Sequence, residues 1–281
     1  MLHSILHFPI WQGAGARHGY ARGAGVLRHI ASAYRPVVDV DVDDGDFSPT
    51  RDKVKALDTL RRHFLKAKAR LDHVPAPVLT LGGDCVADYM SIAAALERHG
   101  EKMALLWVDA HPDINTPQTS PSGNFHGMLL RALMGEGPAE LTALAPHKLT
   151  SDQLFYVGIR DADMDVEEFR IIKEKNIFRL DVKEVEAHRW QVLFDAIAAR
   201  GFTGVYVHVD SDVMDLADYP QAVVAVPGGI SVKALVAFLH AIRARFPLFG
   251  AALTEYSLEQ TAGPEEEALA RRLLVDGFGV G

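Results

Sequence analysis

Two short runs in this sequence carry side chains that could bind a metal: Asp109, His111 and Asp113 in WVDAHPDINTP, and Asp210 and Asp212 in HVDSDVMD. Residues i, i+2 and i+4 of an extended chain face one side, so the alternate spacing predicts donors that turn the same way as a strand ends. If the runs meet, four carboxylates share one pocket, and each like-charge pair at about 4 Å costs roughly 4 kcal/mol at an effective dielectric near 20. One or two divalent cations would relieve that repulsion. Oxygen donors with a little imidazole suit manganese or magnesium better than a thiophilic metal. Helix caps or solvated strand ends are the alternative reading, but the same device appearing in two unrelated segments favours the metal.

Both runs follow apolar stretches, and these belong to a set of eight that read as strands: 3–8, 36–41, 77–81, 103–108, 153–159, 176–180, 204–209 and 248–254. Most are continuously apolar, as in a sheet covered on both faces. Helical periodicity fills the intervals, most clearly over 51–72, 86–99, 165–175, 189–200 and 231–245. Alternation of this kind predicts a parallel, helix-flanked sheet whose ligands gather at the C-terminal strand ends. No linker or repeat divides the chain, so one domain over 1–281 is expected. The glycine-rich connection GAGARHGYARGAGVLRHI fits neither a P-loop nor a dinucleotide fingerprint and is read as a flexible wall or interface loop. The acidic stretch 39–49 lacks the distal Glu of a calcium loop and is read as a solvated strand end. In LGGDC, paired glycines allow close backbone packing. Asp84 is expected to cap a helix or support a ligand, and Cys85 either points into the same pocket or merely packs.

The chain of 281 residues is 48% hydrophobic and 23% charged, ordinary globular values that leave material for a large core. A net charge of -8, with a pI near 5.9, argues against a nucleic-acid or anionic-membrane surface. No apolar run reaches membrane-spanning length, no secretory leader is visible, and the single cysteine fits a reducing compartment, so a cytoplasmic protein is expected.

Taken in order, GGDC (82–85), WVDAHPDINTP (107–117), SGNFHG (122–127), GIRDAD (158–163), HVDSDVMD (208–215), VPGGIS (226–231) and TE (254–255) resemble the arginase family, the ureohydrolases that include agmatinases and formimidoylglutamases. The segment from DINTP to SGNFHG is closest to arginases. The resemblance implies a three-layer α/β/α arginase-like fold with a central parallel eight-stranded sheet, and two Mn2+ ions. Asp109, His111, Asp113, Asp210 and Asp212 fall at ligand positions, and Cys85 stands where the family usually has histidine. His126 matches a proton-shuttling loop histidine and Glu255 a guanidinium-binding carboxylate. Asn115, Ser122 and Asp163 match positions that hold the amino-acid end of arginine. The implied assembly is a homo-oligomer, a trimer or hexamer.

Three departures accompany the match. Thiolate at Cys85 would favour zinc or iron or raise the pKa of a bridging water, whereas a protonated thiol would leave one metal site weak. Val166 replaces a family glutamate, with Glu167 one place late, and Ser257 and Leu258 replace an asparagine-proline pair. His208 lies two residues before Asp210 on the same strand face and reads as a packed strand histidine, with ligand or donor as the alternative. The expected function is hydrolysis of a guanidino or amidino C–N bond, chiefly L-arginine to ornithine and urea through a metal-bridging hydroxide. The alternatives are another guanidino or formimino compound as substrate, or a binding or regulatory subunit with a degenerate metal site.

Overall fold

The computed structural model describes residues 2–224 and 226–281. Eight strands form one sheet: β1 (Ser4–Phe8), β2 (Val37–Asp39), β3 (Val78–Gly82), β4 (Met103–Val108), β5 (Leu154–Val157), β6 (Phe178–Leu180), β7 (Gly204–Asp210) and β8 (Leu248–Thr254). Their order is β2-β1-β3-β8-β7-β4-β5-β6, and every pairing is parallel. The predicted strands all form, most of them with ends trimmed by one to three residues.

Strand side chains alternate between two cores, one on each face of the sheet. Ile5, Leu79, Leu106, Val108, Val207 and Leu253 face one core, with helices Tyr20–Ser32, Gln191–Ala199 and Val232–Arg245. Leu6, Phe8, Leu105, Trp107, Tyr156 and Tyr206 face the other, with helices Leu57–Leu71 and Tyr89–His99. Burial on both faces explains the continuously apolar strand sequences. The three layers follow from it.

The glycine-rich connection departs from its reading as a flexible wall. Past Gly19 it forms the helix Tyr20–Ser32, with Tyr20, Ala24, Leu27, Ile30 and Ala31 buried at helical spacing. Its glycine content serves packing: a Cβ on Gly23 would lie 1.4 Å from the Tyr256 carbonyl oxygen, so the helix lies directly against the backbone that follows β8. The helix expected from residue 51 begins at Leu57. Asp52, Lys53 and Ala56 have φ of 52°, 62° and 52°, and the Lys55 N–H donates to the Gly123 carbonyl at 2.9 Å, so ties to a distant loop override local helical periodicity. By contrast, Ser231 caps Val232–Arg245 as expected, its Oγ accepting the Ala234 N–H.

Leu105 lies in the middle of the sheet, paired with Leu154 on β5 and Tyr206 on β7, and is fully buried. Leu105→Ala should lower the unfolding free energy of metal-stripped protein by about 2–5 kcal/mol in urea titration. A loss below about 1 kcal/mol would contradict this packing.

Candidate metal centre

Four neighbouring strands at the middle of the sheet, β3, β8, β7 and β4, end beside one another. Their C-terminal ends deliver Cys85, Glu255, Asp210 and Asp109 respectively. Cys85 opens a short 3-10 turn capped by Asp84, whose Oδ1 accepts the Val86 N–H at 3.0 Å while its Oδ2 accepts the Ala14 N–H. A Cβ on Gly83 would lie 1.9 Å from the Ile10 carbonyl oxygen, so only glycine lets β3 turn so tightly into that cap.

The donors converge by turns rather than by strand alternation. β4 stops at Val108, and Asp109 Oδ1 accepts the His111 N–H at 2.6 Å; Asp210 Oδ1 accepts the Asp212 N–H at 2.8 Å in the same way. Each Asp thus folds its strand end into an Asx turn that swings the residue two places on back toward the site. Asp113 has φ of 48°, so the expected common face over 109, 111 and 113 is replaced by a bend.

Two close donor groups result. The ligand atoms of Cys85, Asp109, His208 and Asp210 all lie within 4.8 Å of one another, as do those of Asp109, His111 and Asp212. Asp109 belongs to both. Asp113 stands outside these groups but lines the same cavity of about 270 Å³, with His126, Glu255, Asn115, Ser122 and Asp163. His126 Nδ1 lies 3.3 Å from Glu255 Oε1, and Glu255 Oε1 also accepts the Cys85 N–H. Glu255 holds a left-handed φ of 57°, and its N–H donates to the Gly83 carbonyl at 2.7 Å.

In the electrostatics of the site, buried carboxylates outnumber the cationic imidazoles. Burial, reinforced by Asp212, pushes the Asp109 carboxyl up to about 6. Burial and neighbouring carboxylates hold Asp113 and Asp210 well above the usual carboxylate range. Burial would raise Asp212 too, but pairing with His111 keeps it below its ordinary value. Burial disfavours a charge on His111, yet Asp212 and Asp109 outweigh it and hold the imidazole protonated far beyond its usual range. Its Nδ1 sits 2.9 Å from Asp212 Oδ2 and 3.6 Å from Asp109 Oδ1. Asp109 Oδ2 is buried with no hydrogen-bond partner. An orphaned carboxylate oxygen among sulfur, imidazole and carboxylate donors fits a divalent cation.

The arginase family's sequence profile matches residues 4–278. The chain belongs to the arginase family. Among its relatives, an arginase of Staphylococcus aureus (strain MSSA476) is 32% identical over 206 residues, covering 70% of this chain and 66%, just under two thirds, of that protein. The fold is similar to the crystal structure of Entamoeba histolytica arginase in complex with L-ornithine, with a TM-score of 0.86 at 22% identity over 98% of each chain. It is likewise similar to arginase from Bacillus caldovelox, with a TM-score of 0.84 at 24% identity over 99% of this chain and 98% of that one. Among the described residues, no helix is long and apolar enough to cross a membrane.

Within this arginase-family scaffold, Asn115, Ser122 and Asp163 line the cavity and have partners within the protein. Asp163 places Oδ2 2.8 Å from His111 Nε2, so it orients that imidazole. Asn115 donates to Asp165 at 2.9 Å and accepts from Thr119, and Ser122 accepts the Asn124 N–H. Glu167 pairs with Arg170 on the surface, while its neighbour Glu168 lines the cavity. Asp165 and Glu168 escaped the sequence reading, although Asp165-x-x-Glu168 is a capping box opening the helix Val166–Glu174, a signal legible in the sequence. Asp88, which holds His208, gave no such signal, because nothing local reveals that it faces β7.

Burial pushes the Glu168 carboxyl up to about 7. Its protonated form is therefore favoured on folding, a contribution complete below the ordinary carboxylate range and lost as pH rises through about 7. Glu168→Gln, which keeps an acceptor for the Asp165 N–H, should match wild type near pH 4.5 and exceed it by on the order of 3 kcal/mol at pH 8 in urea unfolding of metal-free protein. A gap that does not grow with pH would contradict the buried placement.

Proposed function

We propose that this protein hydrolyses the guanidino C–N bond of a small substrate, L-arginine to ornithine and urea, at a centre of two divalent cations. The observation that carries the reading is the convergence of two donor groups sharing Asp109 beside the Glu255–His126 pair in one cavity. Cys85, Asp109, His111, Asp113, Asp210 and Asp212 would hold the cations, with manganese best suited to the oxygen-rich group of Asp109, His111 and Asp212. When bound, the cations supply a water nucleophile at neutral pH.

The protein's own groups would do the rest. Glu255, carboxylate forward on a constrained backbone, would receive the guanidinium by a charge-assisted hydrogen bond and hold its carbon over the donor groups. Burial opposes a proton on His126, but the hydrogen bond and charge of Glu255 raise its pKa to about 9. It is thus charged at neutral pH and placed to give its proton to the departing amine. Asn115, Ser122 and Asp163 would line the far end of the substrate. A cytoplasmic location and a trimeric or hexameric assembly belong to the same proposal.

One observation favours a second substrate. Among the described residues lining the cavity there is no lysine or arginine, and the Asn115 amide is already engaged by Asp165. A guanidino compound ending in an amine instead of an amino acid would suit that acidic rim.

The test is urea release from arginine and from its decarboxylated amine, after reconstitution with manganese and elemental analysis of the same sample. Arginine turnover, with both metal content and turnover lost in Asp210→Ala, is expected; unchanged turnover in that variant would refute the site. His126→Asn should lower kcat by about 10²–10⁴-fold while leaving metal content unchanged.

A further inference from the structure

We propose that Cys85, Asp109, His208 and Asp210 form a mixed thiolate, imidazole and carboxylate pocket that takes a borderline-soft cation of the zinc class, with Asp88 as the residue that positions the imidazole. The inference rests on reading the cluster as a metal centre, and not on which amidine is hydrolysed.

His208 is held from three sides. Its ring stacks on Trp107 across the β4–β7 register, with centroids 3.6 Å apart and planes within 2°. Its other β-partner, on β8, is Ala252, whose small side chain leaves room beside the imidazole. Nδ1 lies 2.9 Å from Asp88 Oδ2, while the other oxygen of Asp88 accepts the Tyr206 hydroxyl. A carboxylate at Nδ1 places the proton there and leaves the Nε2 lone pair for the cluster, where Thr254 Oγ1 is its protein neighbour at 3.4 Å. Carboxylate, histidine and metal in series is a recurrent arrangement that fixes ring orientation and raises ligand basicity.

The remaining donors face the same point. Cys85 Sγ lies 2.9 Å from Asp210 Oδ2, and Asp109 contributes the buried oxygen that no protein group satisfies. His208 and Asp210 are two apart on β7 and share a face, so one strand supplies two ligands while β3 and β4 supply one each. One sulfur, one nitrogen and two oxygens make a four-donor set of the kind zinc and cobalt(II) accept in tetrahedral geometry, whereas manganese prefers oxygen-rich, higher coordination. Binding would exchange the thiol's hydrogen bond to Asp210 for a metal–sulfur bond and release the thiol proton to solvent. The imidazole donor thus comes from β7, two strands away from the turn after β3 where Cys85 stands.

The test uses metal-stripped full-length protein titrated with cobalt(II) and followed by optical absorption. A near-ultraviolet thiolate-to-cobalt charge-transfer band is expected, lost in Cys85→Ser while the visible ligand-field bands of cobalt at the other donor group persist. His208→Ala and Asp88→Asn should each weaken zinc binding by about 10–100-fold in competition with a chromophoric chelator. Cys85→His should lower the zinc-to-manganese affinity ratio by at least about tenfold, since thiolate is the softer ligand. Cobalt bound without the charge-transfer band overturns the inference and leaves the metal-centre reading standing; no cobalt bound at all overturns both. Unchanged zinc affinity in both His208→Ala and Asp88→Asn overturns the imidazole's part. The wild-type spectrum needs no variant to fold.

Discussion

Like charge packed below the protein surface is the constraint on which this structure turns. Asp109, Asp113, Asp210 and Asp212 are all buried, and the protonated imidazoles of His111 and His126 are the cationic side chains that line their cavity. At an effective dielectric near 20, each close carboxylate pair costs roughly 4 kcal/mol, a large share of the 5–15 kcal/mol that separates folded from unfolded domains. The arrangement persists only because a double-sided apolar core holds the strand ends in register whatever the pocket contains. A cation converts the cost into attraction, so the scaffold pre-pays the organisation that a metal needs.

The sheet order explains why the scaffold can do this. β7 and β8 enter late in the chain but insert between β3 and β4, so segments far apart in sequence end side by side. The Cys85 and Asp210 side chains meet across 125 positions, and His126 meets Glu255 across 129. Parallel strands all present their C-terminal ends at one edge, and Asx turns at Asp109 and Asp210 then fold the next donors inward. A single local device, used twice, makes a site that no continuous segment contains.

That division between local and long-range control decides what could be read from the sequence. Strand identity was legible because burial on both faces leaves an unbroken apolar signature, and candidate donors stood out because Asp and His after such runs are chemically conspicuous. The capping of Val232–Arg245 by Ser231 was local and therefore readable. The start of Leu57–Leu71 was not, since it depends on a tie between Lys55 and Gly123. The role of His208 was closed to inspection for the same reason: whether a strand histidine packs or faces a ligand depends on Asp88, Trp107 and Ala252, which come from three other elements. Asp163 shows the converse: it lines the cavity, but its partner there is His111, which motif order alone could not supply.

Charge balance links the unusual cysteine to the rest of the centre. With Cys85 as thiolate, the pocket offers five anionic donors, the thiolate and Asp109, Asp113, Asp210 and Asp212, against the four positive charges of two divalent ions. A histidine at that place would leave the donors and the ions matched. The added negative charge reduces the electron demand of a cation held there, and a hard ion such as manganese gains little from a sulfur ligand to offset it. A borderline-soft cation gains from the more covalent metal–sulfur bond, and His208, neutral and oriented by Asp88, restores a nitrogen donor without adding further charge. Cys85 and His208 therefore form one physical unit: the thiolate makes a neutral imidazole beside it advantageous, and Asp88 keeps that imidazole in the tautomer that can serve.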